Sequence, residues 1–457
     1  MVEKTRAARD SFWWGAATAS YQIEGSPLAD GSGSCIWHEF SHTPGNTYRG
    51  DTGDHAADHY HRWAEDVALM RVLGLNAYRF SIRWPRILPE GQGEVNQAGL
   101  DFYDRLLDAL LEARIEPFVT LFHWDLPAAL QHRGGWCNRD SAQWFAEYTE
   151  VVAARLGDRI RWWITLNEPF VVATEGHLLG HHAPGVRNAF AAARAVHNQL
   201  RAHIAADQVL RSTSPAAKVG LALHNAWVEP ASDSEADILA SRVAHAWHNF
   251  PLFLDPLVFG RYPAEVEDLL LSHLPQGYEA DLDAMRCPPD FAGLNYYFSY
   301  MVRRDEDSWT GFAPLEEEGG PRTSMGWPIR PEGLGRLLDA AHRRYGLDCL
   351  LVTENGAAFE DALEEDAVHD PERVSYLEAH IQEVLKAAQS GLPVKGYFVW
   401  SFLDNFEWAR GYSQRFGLVY VDYETQRRIL KDSGWWYSAF VREQLEEAFT
   451  KMRAFGS

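Results

Sequence analysis

Cysteine is scarce in this chain: its 457 residues hold four, Cys35, Cys137, Cys287 and Cys349, far apart and with no C-x-x-C among them. That spacing speaks against a disulfide framework or a thiolate zinc site and suits free thiols in a reducing compartment. Long hydrophobic runs are missing too. No stretch approaches the ~18 apolar residues that cross a bilayer, and the N-terminal MVEKTRAARDSFWWG is charged where a signal peptide carries an apolar core. The expectation is a soluble, cytoplasmic protein with no membrane partner. Positive charge is outweighed, with 42 Lys and Arg against 64 Asp and Glu and a formal −22. This balance argues against nucleic acid as partner and reads most simply as a solvated acidic surface. No fixed-period repeat, low-complexity linker or break in composition divides the chain. A single domain over 1–457 is expected, since α/β barrels stay undivided well beyond the usual domain length.

Short apolar runs are abundant. Eight of them recur, each closing on polar or aromatic residues: 12–19, 76–82, 117–124, 161–168, 219–227, 291–297, 349–355 and 396–402. Runs this short, bounded by breakers, are buried strands rather than helices. Amphipathic stretches lie between them: Glu65 to Leu73, Gly99 to Ala113, Ser141 to Leu156, Ala189 to Leu210, Gly333 to Tyr345 and Pro371 to Ser390. Eight strand–helix alternations predict an α/β fold, a single-domain (β/α)8 TIM barrel. A doubly wound dinucleotide domain lacks its G-x-G-x-x-G after the first strand. The long connections 20–60 and 298–332, rich in Gly, Pro, Ser and charge, are expected to be active-site loops.

A barrel places its site at the C-terminal ends of its strands. Those ends here carry Arg79, His123, Asn167 and Glu168, His224 and Asn225, Asn295 and Tyr297, Glu354 and Asn355, and Trp400. Singly, each is ordinarily a satisfied buried polar group or a helix cap. Gathered at one mouth they make a pocket with two carboxylates, several amides and aromatic rings. Paired carboxylates suit glycosidic hydrolysis, in which one group protonates the leaving oxygen and the other meets the charge developing at the anomeric carbon. Neither metal nor cofactor is called for. The 18 tryptophans strengthen this reading, because sugar C–H faces pack on indole, although most of them belong to the core.

The motifs GAATASYQIEG (15–25), YRFSIRWPRI (78–87), TLFHWDLP (120–127), TLNEP (165–169), GLNYY (293–297), VTENG (352–356) and WSFLDNFEWARGYSQRFGLVYVDY (400–423) together resemble glycoside hydrolase family 1, the β-glucosidase family, over nearly the whole chain. The residues themselves leave open which glutamate does what. The resemblance implies that Glu168 is the general acid/base and Glu354 the nucleophile of a configuration-retaining reaction, with carboxyls ~5–5.5 Å apart. It likewise implies that Arg79 keeps Glu354 ionised, that Tyr297 hydrogen-bonds it, that Asn295 supports the pair and that Asn167 holds the sugar 2-hydroxyl. Gln22, His123, Glu407 and Trp408 match glycone contacts, and Trp400 matches the stacking platform. Trp327 resembles the tryptophan beside the leaving group, with Trp124 and His182 as lesser aglycone candidates. Phe170 stands where the family often has Trp, and Arg83 replaces a small residue.

Three rival readings carry less. His55, His59 and His61, and the pair His181 and His182, have no H-E-x-x-H and no carboxylate placed with them, so structural roles are expected. A 6-phospho-β-glycosidase needs a cationic nest where this chain has Glu407. A catalytically dead sugar-binding relative, or a thioglucosidase, should lack one glutamate. The expected substrates are small β-glycosides of the cellobiose kind, cleaved from the non-reducing end. Glucose, galactose and fucose are not separated by sequence, and a homo-oligomer is compatible with it.

Overall fold

The computed structural model describes residues 12–315 and 319–455. The charged N-terminal stretch through residue 11, from which the absence of a leader was read, lies outside them. Eight parallel strands close on themselves: β1 (Trp13–Ala17), β2 (Ala77–Ser81), β3 (Glu116–Phe122), β4 (Trp162–Asn167), β5 (Lys218–Pro230), β6 (Phe291–Arg304), β8 (Leu350–Asn355) and β9 (Val394–Trp400), the last pairing with β1. This is a (β/α)8 barrel, as the alternation predicts. All eight apolar runs became its strands, because parallel strands buried on both faces must be apolar throughout.

The inside of the barrel is plugged by rings from five of its strands. Phe118 stacks on Trp162 with centroids 5.0 Å apart and meets Trp13 at 5.8 Å and Phe398 at 4.8 Å; Trp162 meets Phe291 at 5.5 Å. Gly15 on β1 makes room for this layer, since a Cβ there would lie 2.6 Å from the Phe398 ring. The aromatic plug leaves the C-terminal strand ends for polar groups.

The outer helices are α1 (Ile36–Ser41), α2 (His59–Leu73), α3 (Gln97–Glu112), α4 (Ser141–Leu156), α5 (Ala189–Thr213), α6 (Glu235–His248), α7 (Pro251–Phe259), α8 (Glu332–Tyr345), α9 (Pro371–Gln389) and α10 (Asp432–Phe455). Side-chain caps start two of them: Asn188 accepts from Ala191 N at 3.1 Å and Ser234 from Asp237 N at 3.2 Å. The sequence reading passed over α6, α7 and α10, and two connections differ from it. The 20–60 stretch carries the short helix α1. The 298–332 stretch begins as a continuation of β6 to Arg304, and β7 (Phe312–Leu315) returns antiparallel against it. Beyond these, β10 (Val419–Val421) and β11 (Arg428–Leu430) form a small antiparallel pair. Among the described residues no helix is long and apolar enough to cross a membrane.

Candidate active site

The strand ends open into a cavity of about 1520 Å³ whose walls include Glu168, Glu354, Glu407, Trp400, Trp408 and Trp327. Glu354 is the penultimate residue of β8 and pairs in register with Asn295 of β6, which in turn pairs with His224 of β5. Glu168 follows β4 and begins a short helix in the left-handed conformation, φ +45°. Trp124 and Trp408 share that conformation, with φ of +74° and +47°. Non-glycine residues held there cost on the order of 1–3 kcal/mol each, and such strain gathers at functional sites.

One connected network joins the two glutamates. Arg79, fully buried, donates to Glu354 Oε1 at 2.5 Å, to the Thr353 carbonyl at 3.0 Å and to Asn167 Oδ1 at 2.6 Å. Asn295 Nδ2 donates both to Asn167 Oδ1 at 3.1 Å and to Glu168 Oε1 at 2.8 Å, and Thr353 fixes that amide by donating to its Oδ1 at 2.6 Å. The Tyr297 hydroxyl donates to Glu354 Oε2 at 2.5 Å. Satisfiability then settles a tautomer. Because Asn167 Oδ1 accepts twice, its Nδ2 must donate to His123 Nε2, 2.9 Å away, so His123 is neutral with its proton on Nδ1. Burial and the Arg79 charge hold His123 well below its ordinary pKa in agreement, and its Nδ1 is buried without a partner in the protein.

Electrostatically the site is crowded with carboxyls. Burial lifts Glu168 to about 7 against the pull of Asn295 and Arg79. It lifts Glu354 to about 7 as well, with the Glu168 charge adding to burial while Arg79 and Tyr297 oppose it. Glu407 rises to about 8, by burial and then by the charges of Glu354 and Glu168. The donors separate the two roles. Glu354 accepts from a guanidinium and a phenol, which favour its ionised form, whereas Glu168 has one neutral amide and is where a shared proton rests.

Of the residues expected at the site, His123, Trp124, Glu168, Tyr297, Trp327, Glu354, Trp400, Glu407 and Trp408 line the cavity, and so do His182, His224 and Phe170. Arg79, Asn167, Asn295 and Gln22 stand behind the lining and are buried. Gln22 Nε2 donates to Asn405 Oδ1 and the Phe406 carbonyl, both at 3.0 Å, and reaches Glu407 Oε2 at 3.4 Å, leaving its own Oε1 without a partner. His123 lies nearly parallel to Trp400 and Trp408, with centroids 5.8 and 6.0 Å away, while Trp327 sits 5.4 Å from Tyr297 and 5.3 Å from Phe298.

Two strand-end residues point elsewhere. Asn225 ties the Phe250 N–H and the Leu223 carbonyl, and Asn355 bonds the Tyr296 carbonyl and the hydroxyls of Tyr376 and Tyr397. Alternation along a strand turns each away from its site-facing neighbour. Arg83 also leaves the site: its guanidinium binds the carbonyls of Pro27 and Gly33 and Ser32 Oγ, stapling the 20–60 connection. His59 pairs with buried Asp66 and His61 with Asp58. Sequence reading missed the outer wall, which includes Phe298, Trp309, Trp247 and His248. Of these only Phe298 carried a local signal, its place directly after GLNYY on an alternating strand.

Comparison with known proteins accords with this geometry. The model of the family described as Glycosyl hydrolase family 1 matches residues 4–446. Beta-glucosidase A of Thermotoga maritima is 56% identical, over 95% of this chain and 97% of that protein. The 1,4-beta-D-glucan glucohydrolase of Thermotoga neapolitana is 55% identical over 95% and 98%. A solved structure of the Thermotoga maritima β-glucosidase in complex with deoxynojirimycin superimposes with a TM-score of 0.93, at 56% identity and covering 95% of this chain and 98% of that one.

Proposed function

The chain belongs to glycosyl hydrolase family 1 and is a β-glucosidase, and from that premise we propose that it removes terminal β-D-glucosyl residues from short cello-oligosaccharides and aryl or alkyl glucosides by a retaining double displacement. The observation that carries this reading is the unequal provision of donors to two buried glutamates on one cavity. Glu354, bonded by Arg79 and Tyr297, is the group kept ready to attack the anomeric carbon. Glu168, bonded by Asn295 alone and lifted to about 7, is the group able to protonate the glycosidic oxygen near neutrality. Attack forms a bond from a Glu354 oxygen to the anomeric carbon as the bond to the leaving oxygen breaks. Glu168, now deprotonated, then takes a proton from the water that releases the sugar.

Hydroxyl recognition falls to buried groups with spare capacity: the second amide proton of Asn167, Nδ1–H of His123, Oε1 of Gln22 and the Glu407 carboxyl. Arg322 and Arg410 also line the cavity, but a phosphate beside Glu407 would meet a carboxyl, which favours neutral sugars over phosphorylated ones.

The test compares wild type, Glu354→Ala and Glu168→Ala on cellobiose and 4-nitrophenyl β-D-glucoside, with the anomer first released followed by NMR. Glu354→Ala should be inactive on both. Glu168→Ala should lose about 10²–10⁴-fold on cellobiose and less on the aryl glucoside, whose leaving group needs little protonation. First release of the α-anomer, or turnover by Glu354→Ala near wild type, would overturn the double displacement.

A further inference from the structure

Away from the cavity, among the described residues, His38, His42 and Asp54 each bring one metal-ligating atom to a common point, all within 4.8 Å of one another. The histidines stand four apart at the C-terminal end of α1, so both rings project from one face, and Asp54 arrives from the following connection. His42 Nδ1 lies 2.7 Å from the His38 carbonyl, which can only accept, so Nδ1 carries a proton. Its Nε2 then faces Asp54 Oδ2 at 3.0 Å. In the neutral ring that places a lone pair against a carboxylate oxygen, two acceptors in contact. His38 Nδ1 and Asp54 Oδ1 likewise face each other at 3.5 Å, and both are buried atoms without a hydrogen bond. Two imidazole nitrogens and the two oxygens of one carboxylate therefore converge, with one contact of hydrogen-bond length between them, His42 Nε2 to Asp54 Oδ2.

We propose that His38, His42 and Asp54 form a binding site for one divalent transition-metal ion of the imidazole-preferring class, zinc in the first instance, distinct from the catalytic centre. Two imidazoles and a carboxylate are a common zinc ligand set, with water completing the tetrahedron. Bonds of about 2.0–2.1 Å separate the donors of a tetrahedral site by about 3.3 Å. The 3.0 and 3.5 Å separations, made to the two oxygens of Asp54, lie close to that value, and one ligand atom from each residue falls within 4.8 Å of the others. The bond from His42 Nδ1 to a carbonyl is the outer contact that metal-ligating histidines usually make, fixing the ring so that Nε2 meets the ion.

The ion would clamp two segments that support the sugar end of the cavity. Trp37, one residue before His38, packs on Trp408 with centroids 4.5 Å apart. On the other segment, Asp51 accepts from the Tyr412 N–H at 2.9 Å and the Thr52 carbonyl from its hydroxyl at 2.7 Å, holding the connection that carries Glu407 and Trp408. Metal capture is thereby coupled to the rigidity of that wall, and the proposal is independent of the hydrolytic reading.

The test uses the whole, chelator-treated chain at pH 8, titrated with ZnCl2 by calorimetry and with CoCl2 by visible absorption. One ion per chain is expected, with a rise in melting temperature on zinc addition. His42→Ala and Asp54→Asn should each lower the affinity at least about tenfold and abolish the melting shift. His369→Ala, which removes an exposed histidine paired with Asp432 at 2.8 Å, should leave both intact. His42 is exposed, so its variant should melt near wild type without metal, which keeps the comparison valid. Absence of a saturable site at about 100 μM ion overturns the proposal. Equal binding by wild type and both ligand variants overturns it as well, placing the ion on other histidines.

Discussion

Replacing Tyr297 by Phe isolates one of the two side-chain donors to Glu354, the nucleophile of the proposed displacement. The ring can stay against Trp327, 5.4 Å away, while the 2.5 Å bond to Glu354 Oε2 is lost. A hydrogen bond to a charged acceptor is worth about 1.5–3 kcal/mol, and at 1.36 kcal/mol per unit this corresponds to about 1–2 pKa units. The direction is upward, because Tyr297 is among the groups whose pull against burial leaves Glu354 at about 7. In the proposed displacement only ionised Glu354 attacks, so the acid limb of kcat/KM for 4-nitrophenyl β-D-glucoside should move to higher pH by about 1–2 units. At pH about 6 the variant should then be about 10–100-fold slower. The limbs belong to the coupled pair of glutamates rather than to either alone, but coupling does not reverse the sign. An acid limb that stays in place or moves lower would refute the role given to this phenol.

Two further perturbations test the energetics of burial. Glu168 is lifted from 4.5 to about 7, so the folded chain holds that proton more tightly than the unfolded one; stability is full below pH 4.5 and falls as pH rises to about 7. Above that the charge costs up to about 3 kcal/mol, and Glu168→Gln, which still accepts from Asn295, should raise the melting temperature by about 3 °C at pH 8 and leave it unchanged at pH 4. Calorimetry giving the same difference at both pH values would refute this. Arg373, wholly buried, binds Asp361 at 2.9 Å and Asp370 together with the Ala357 and Arg415 carbonyls. Arg373→Met leaves those carboxylates undercompensated and should cost about 3–5 kcal/mol in denaturant unfolding; a loss under about 1 kcal/mol would show that Lys431, which also reaches Asp361, is enough.

The barrel was legible because its strands are buried on both faces and so stand out as unbroken apolar runs between amphipathic ones. The continuation of β6 through SYMVRR and the β7 return were not, because a half-exposed ribbon alternates polar and apolar residues and reads as a loop. At the site, the strand-end rule found Glu168, Glu354 and Asn295 but could not separate them from Asn225 and Asn355. One residue of alternation decides which face a side chain takes, and register is a property of paired strands. The cluster of His38, His42 and Asp54 escaped notice for a related reason. The i,i+4 pair is visible in WHEFSH, but the carboxylate that gives it meaning comes from a separate segment. Trp309 forms wall only through loop geometry, which no period encodes.

The division of labour proposed for the glutamates rests on what surrounds them rather than on how deeply they are buried. Burial raises both Glu168 and Glu354, and each lies at about 7 with the opposing pull of its donors included. A site that relied on burial alone would hold two interchangeable acids. The contacts differ, since Arg79 touches Glu354 directly and reaches Asn167 with its other nitrogen, giving the carboxylate at the end of β8 a charged donor that Glu168 lacks. Asn295 transmits position without charge, holding Glu168 in place while leaving its proton in reach of a leaving oxygen. Arg79 answers one carboxylate, and Glu407 adds a third carboxyl to the same cavity. Such a site is costly when empty and best matched when positive charge develops at a bound sugar, so its affinity rises toward the transition state rather than the ground state.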